Sequence, residues 1–214
     1  MPTYPVTTSY GLTGDYRIDS LLAVTTNDKN NPIMANKWGA GIGEGAAVSF
    51  SFHTPGVSIY PNNYGDSSYT HTPTAPNGAV NAAIKSALSQ WIKVANISAT
   101  EVADTGATKG DKQFGVSGYA DLAFIYAPGV GNSPNSTGER GDVWLASSIY
   151  ANATSVKFGS AAMADIERYI GTALGLNNKV INRGGLSSVE NSQKYSIMST
   201  VSDARAPFFP EPGL

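Results

Sequence analysis

The sequence predicts an α+β domain: a twisted mixed sheet backed by two long helices, with an irregular C-terminal part. Three observations carry that expectation. Two stretches, Asn77 to about Val94 and Ser160 to Leu174, place apolar residues three or four apart, the period of a helix with one buried face. Shorter runs such as Val48-Ser49-Phe50-Ser51-Phe52 and Gly141-Asp142-Val143-Trp144-Leu145 have the alternation or the β-forming composition of strands. After Leu176 neither period persists. The order is strand, helix, strands, helix, irregular tail, without internal repeat, which suits a sheet layered on helices.

Taken in order, residues 1–20 are rich in Tyr, Thr and Gly and read as a surface covering, with a short helix at Ile18–Leu22 opened by Asp19 or Ser20. The run Gly41-Ile42-Gly43-Glu44-Gly45-Ala46 has the look of a dinucleotide fingerprint, but it precedes a strand instead of following one and opening a helix, so a glycine-rich turn is the better account. Residues 53–76 read as a long surface loop holding or adjoining both histidines, His53 and His71; a lone histidine in such a loop is read as solvated rather than as a ligand. Asn77 then caps a helix whose stripe is Val80, Ile84, Leu88 and Trp91, with Ala83 and Ala87 beside it. Strands are expected at Ile97–Val102 and Ala120–Tyr126, a loop at Pro128–Gly141, and a further strand from Gly141. Ser160 opens the second helix, Met163, Ile166, Ile170 and Leu174 form its buried stripe, and Gly175 ends it. Residues 177–194 are irregular, and Tyr195-Ser196-Ile197-Met198 is a short apolar turn or strand.

Composition narrows the function. The 214 residues suffice for a single domain spanning 1–214. Charged residues are 14%, against roughly 25% in ordinary soluble domains, and formal net charge is −2. No basic run offers a nucleic-acid face, and no stretch of about 18 apolar residues offers a membrane span. There are no cysteines, so thiolate nucleophiles and Cys-based metal sites are absent. Met1–Tyr10 lacks a basic region followed by an apolar run, so it is not read as a Sec signal.

Several segments together carry a resemblance. Ile170-Gly171-Thr172-Ala173-Leu174-Gly175-Leu176 is followed some twenty residues on by Tyr195-Ser196-Ile197-Met198-Ser199. Upstream lie Ile18-Asp19-Ser20-Leu21-Leu22, Lys37-Trp38-Gly39, the stretch from Trp91 through Val94-Ala95-Asn96-Ile97 to Glu101-Val102, and Gly141-Asp142-Val143-Trp144-Leu145. In this order, over about residues 10 to 200, they resemble the catalytic domain of serralysin-type metzincins, secreted bacterial zinc peptidases of the matrixin-like group. The resemblance implies a metzincin-like fold, with Met198 in the Met-turn, and an extracellular location.

It also implies where the chemistry would stand. The family's active-site helix reads H-E-x-x-H-x-x-G-x-x-H: three histidines hold zinc and the glutamate is the general base. Aligned on Gly175, the ligand positions are Arg168, Thr172 and Asn178, the base position is Tyr169, and the tyrosine that often follows the Met-turn is Thr200. An arginine stays protonated and repels a dication, Thr and Asn are poor ligands, and a phenol is a poor substitute for a carboxylate base. The expectation is therefore an inactive metzincin homologue, a pseudopeptidase with no zinc and no other cofactor. Arg168 is expected to pair with Asp165 or Glu190. The family's glycine- and aspartate-rich calcium repeats are missing, and the chain stops at Pro210-Glu211-Pro212-Gly213-Leu214, so a fragment of a longer exported protein and a natural truncation both stay open.

Two functions compete. A fold kept without its reaction suits an extracellular binding or structural module that holds a peptide, a protein partner or copies of itself, by strand addition or through Tyr- and Asn-rich loops. The alternative is a hydrolase of another class using carboxylates in the old cleft, drawn from Asp165, Glu167, Glu190, Asp142 and Glu139.

Overall fold

The computed structural model describes residues 44–54, 77–104, 122–127, 133–134, 142–146, 156–176 and 196–199, together with 15, 74 and 192. In chain order the elements are β1 (Ala46–Phe52), α1 (Gly78–Val94), β2 (Ile97–Glu101), β3 (Leu122–Ala127), β4 (Ser133–Pro134), β5 (Asp142–Ala146) and α2 (Ala161–Ala173). The α+β class expected from the sequence is observed. The strands form one five-stranded sheet in the order β2-β1-β3-β5-β4. β1 runs parallel to both β2 and β3, β3 runs parallel to β5, and β4 closes the far edge antiparallel to β5.

Register decides which face is the core. Phe52 is level with Phe124 and Phe124 with Val143, so period two puts Phe50, Phe52, Phe124, Val143 and Leu145 on one side. That side meets Val80, Ile84, Ala87 and Leu88 of α1 and Met163, Ile166, Ile170 and Ala173 of α2 in a single buried cluster. Phe50 meets Phe52 and Phe124 edge-on, with centroids 5.9 and 6.5 Å apart, the favourable arrangement for aromatic quadrupoles. Both helices thus lie on one face of the sheet. The other face shows smaller residues, among them Ala47, Ser49, Ser98 and Thr100.

The helix ends follow their sequence signals. Asn77 accepts a hydrogen bond from the Ala79 N–H through its side chain, and Ser160 Oγ accepts one from the Met163 N–H, so each helix starts on a polar cap. α2 stops in a Schellman motif. Gly175 takes φ 107°, the left-handed region that favours glycine. The Leu176 N–H then donates to Gly171 O and the Gly175 N–H to Thr172 O.

Three expectations need correction. The apolar stripe of α1 stops short of Val94: Trp91 and Ile92 still pack against the core, but Val94 has turned to solvent and is 80% exposed. The expected loop at 128–141 contains the two-residue strand β4, whose pairing with β5 no hydrophobic period announces. His53 is not solvated: it continues β1, donating its backbone N–H to Phe124 O, and is 2% exposed. The proposed helix at Ile18–Leu22, the Lys37–Gly39 segment, His71, residues 177–191 and the terminal Pro210–Leu214 lie outside the described residues. No helix among the described residues is long and apolar enough to cross a membrane.

Candidate functional site

α2 is buried nearly all round, on its polar positions as well as its apolar ones. Gly171 shows why this helix sits so deep. A Cβ on Gly171 would lie 2.6 Å from Met198 Sδ and 2.7 Å from Trp91 Cζ2, so only glycine admits both neighbours at this depth. Trp91 is held by its indole N–H, which donates to Glu167 O at 2.9 Å. Met198 is held by a turn that bonds to itself: the Met198 N–H donates to Ser196 Oγ at 3.2 Å and the Ser199 N–H to Ser196 O at 3.1 Å. Met198 is therefore core packing beneath the helix.

Three of the four positions singled out by sequence are described, and the structure brings them together. Arg168 forms an ion pair with Asp165, one of the two partners expected, one turn back along the same helix; Glu190, the other, lies outside the described residues. The Arg168 guanidinium also stands 5.2 Å from the centre of the Tyr169 ring, in cation–π contact. Thr172 Oγ1 donates to Arg168 O at 3.1 Å, the back-bond of a threonine to its own helix. Burial, followed by the Asp165 charge, raises the Tyr169 phenol above its ordinary 10.0, although the Arg168 charge and hydrogen bond oppose this. Asn178 and Thr200 lie outside the described residues.

These groups do not fit zinc. The guanidinium is a fixed cation, the phenol is pushed away from its ionised form, and the threonine hydroxyl proton is committed to a backbone carbonyl.

Among the candidate carboxylates, Asp165 and Glu167 are described with their side chains. They stand two apart on the helix and so do not face each other, and Asp165 is engaged by Arg168. Glu167 is the unusual one. It is 3% exposed, its Oε1 has no hydrogen-bond partner among the described residues, and burial alone pushes its pKa from 4.5 to about 7. The backbone of Asp142 opens β5; Glu139 and Glu190 lie outside the described residues.

A second polar cluster is not legible in the sequence as a unit. At the carboxyl ends of β1 and β2, His53 Nδ1 stands 3.7 Å from Asp104 Oδ2, with both side chains almost wholly buried, and the same Oδ2 accepts the Thr54 N–H at 2.7 Å. One signal points to half of it: His53 keeps the period-two place of Ser49 and Ser51. Nothing local announces Asp104, fifty residues on. No protein-family model matches the chain, and no curated protein matches it.

Proposed function

We propose that the chain is a metzincin-like domain without peptidase chemistry, acting outside the cell as a binding or assembly module. The observation that carries this reading is the self-satisfied surface of α2. At the positions where the resemblance would put two zinc ligands and the base, Arg168 is paired with Asp165, Tyr169 lies against Arg168, and Thr172 bonds back to the helix. The mixed sheet with its single antiparallel edge strand, the glycine-stopped helix and the buried Met198 beneath it also support a scaffold of this kind.

The test restores the motif. The quadruple variant Arg168→His, Tyr169→Glu, Thr172→His, Asn178→His should bind zinc at one per chain, measured by metal analysis after dialysis, while the parent binds none stoichiometrically. A parent that copurifies with one zinc per chain sinks the inactive reading. A folded quadruple variant that gains no zinc sinks the scaffold reading.

The alternative hydrolase reading has one observation in its favour, the raised pKa of Glu167, a value suited to a general acid or base near neutral pH. Its burial, with no second described carboxylate facing it, favours the first reading.

A further inference from the structure

We propose that His53 and Asp104 form a pH-operated clasp between the carboxyl ends of β1 and β2, closed while the pair holds its proton and loosened when the proton leaves. The pair stands apart from the α2 positions on which the proposed function rests and is independent of that reading. Register brings the two residues together. β1 and β2 are parallel, with Ala46 level with Ile97 and Phe50 level with Glu101. The Val102 N–H still donates to Phe50 O, and the same register carried three residues past Phe50 sets His53 level with Asp104. Level residues of parallel neighbours share a face. Phe50 and Phe52 pack on the helix side, so His53 falls on the opposite side and Asp104 with it. There His53 Nδ1 stands 3.7 Å from Asp104 Oδ2, with 1% and 3% of the two side chains exposed. At the other end of this face Ala47, Ser98 and Thr100 are open to solvent, whereas Ser51 is as deeply buried as His53.

Burial decides which protonation state the pair prefers. An imidazole and a carboxyl this close titrate as a unit. With one proton between them the pair is neutral overall; with none it is a buried anion, and with two a buried cation. Taking net charge out of water is costly, so burial favours the one-proton state over both others. Within that state the Thr54 N–H donates to Asp104 Oδ2 at 2.7 Å, a bond that is stronger to a carboxylate than to a carboxylic acid, which places the proton on His53. The closed clasp is an imidazolium facing a carboxylate.

The described charges on neighbouring elements are engaged on the opposite face. Lys85 of α1 pairs with Glu101 of β2 at 2.6 Å and stands 5.6 Å from the centre of the Phe52 ring. β3, the other neighbour of β1, takes the His53 N–H on Phe124 O and has no histidine, carboxylate, lysine or arginine in its sequence. Raising the pH therefore strips Asp104 of the cation that faces it across the strand ends, and breaking one side of a buried pair is destabilising. The folded pair binds its proton more tightly than a histidine in an open chain. Its stabilisation is present below about 6.5, the ordinary histidine value, and is lost as pH rises past the higher value of the folded pair. The strand ends, where residues 55 and 105 leave the sheet, loosen with it.

Imidazole NMR of the whole chain tests this. The sequence has two histidines, so His71→Gln leaves the His53 signal alone. The expected result is a His53 that keeps its proton to at least about one pH unit above the ordinary 6.5, a tenfold tighter hold. Asp104→Asn keeps an acceptor for the Thr54 N–H but removes the charge, and should bring the His53 midpoint to 6.5 or below. In the parent, amide exchange corrected for its intrinsic pH dependence should quicken at Thr54 and Val102 as pH passes the His53 midpoint, while Ala46, at the far end of the same ladder, shows no such step. His53→Gln should remove the step at Thr54. A parent whose His53 titrates at or below 6.5 overturns the proposal, a reading that needs no altered strand residue. So does a midpoint unmoved by Asp104→Asn, or exchange at Thr54 without a step at the His53 midpoint.

Discussion

Glu167→Gln should change how the stability of this protein depends on pH, and the size of the change follows from where the carboxyl sits. Burial holds the group at a pKa of about 7, against 4.5 when the chain is open. Between those two values the folded state keeps a proton that the unfolded state has released. Linkage then makes stability fall as pH rises, by up to about 1.36 kcal/mol per unit of pH. The contribution is fully present below 4.5 and is lost by the time pH has passed about 7, which amounts to about 3 kcal/mol for this one residue. Glutamine keeps the shape, stays neutral throughout, and leaves the Trp91 bond to the residue 167 backbone carbonyl in place. Urea unfolding of parent and variant from about pH 4 to about pH 9 is the assay, with midpoints compared at unchanged m. The two should be close in stability at about pH 4, and the variant should lead by about 3 kcal/mol at about pH 8.5. Parallel curves across the range would show that Glu167 ionises as freely folded as unfolded, and would refute a dry carboxyl with an unpartnered oxygen.

Two further substitutions probe the same helix. Gly171→Ala gains about 1 kcal/mol of helix propensity but drives a methyl into Met198 and Trp91, an overpacking cost of about 1–3 kcal/mol. The net expectation is a loss of up to about 2 kcal/mol, or a melting temperature several degrees lower. A rise in melting temperature instead would mean that Met198 and Trp91 do not close on the glycine. Ser160→Ala removes the acceptor of the Met163 N–H and should cost about 1 kcal/mol in urea unfolding, with Ser160→Asp restoring it.

What the sequence made legible was local. Asn77, Ser160 and Gly175 are read correctly because a cap or a left-handed stop depends on neighbours a few residues away. The stripes of α1 and α2 are read through Trp91 and Leu174 for the same reason: a period needs no partner. Arg168 and Asp165 are one turn apart, so their pairing is legible too. His53 is the opposite case. Its neighbours Thr54 and Pro55 look like the start of a loop, and its burial comes from the β3 carbonyl at Phe124 and from Asp104, neither of them near in sequence. Glu167 is ambiguous in sequence because it falls at the margin of the helix's apolar stripe. Its burial arises only in the folded chain, where Trp91, 76 residues earlier, bonds to its backbone carbonyl.

The polar residues of α2 bear on how such a helix holds together without a metal. A ligand set for a dication is mutually repulsive or unsatisfied until the ion arrives, so a helix that carries one leans on the metal for stability. In α2 three polar side chains are answered within one turn of the same helix: Arg168 by Asp165, Tyr169 by Arg168, and Thr172 by the Arg168 carbonyl. Such partners are in place as soon as the helix forms, and they need no third element to bring them together. The remaining cost on this helix falls on Glu167, whose lone oxygen and raised pKa mark the one place where burial was not matched by a partner among the described residues. The spacing of 165, 168 and 172 lets these side chains satisfy one another or the helix backbone with bonds a helix can make by itself.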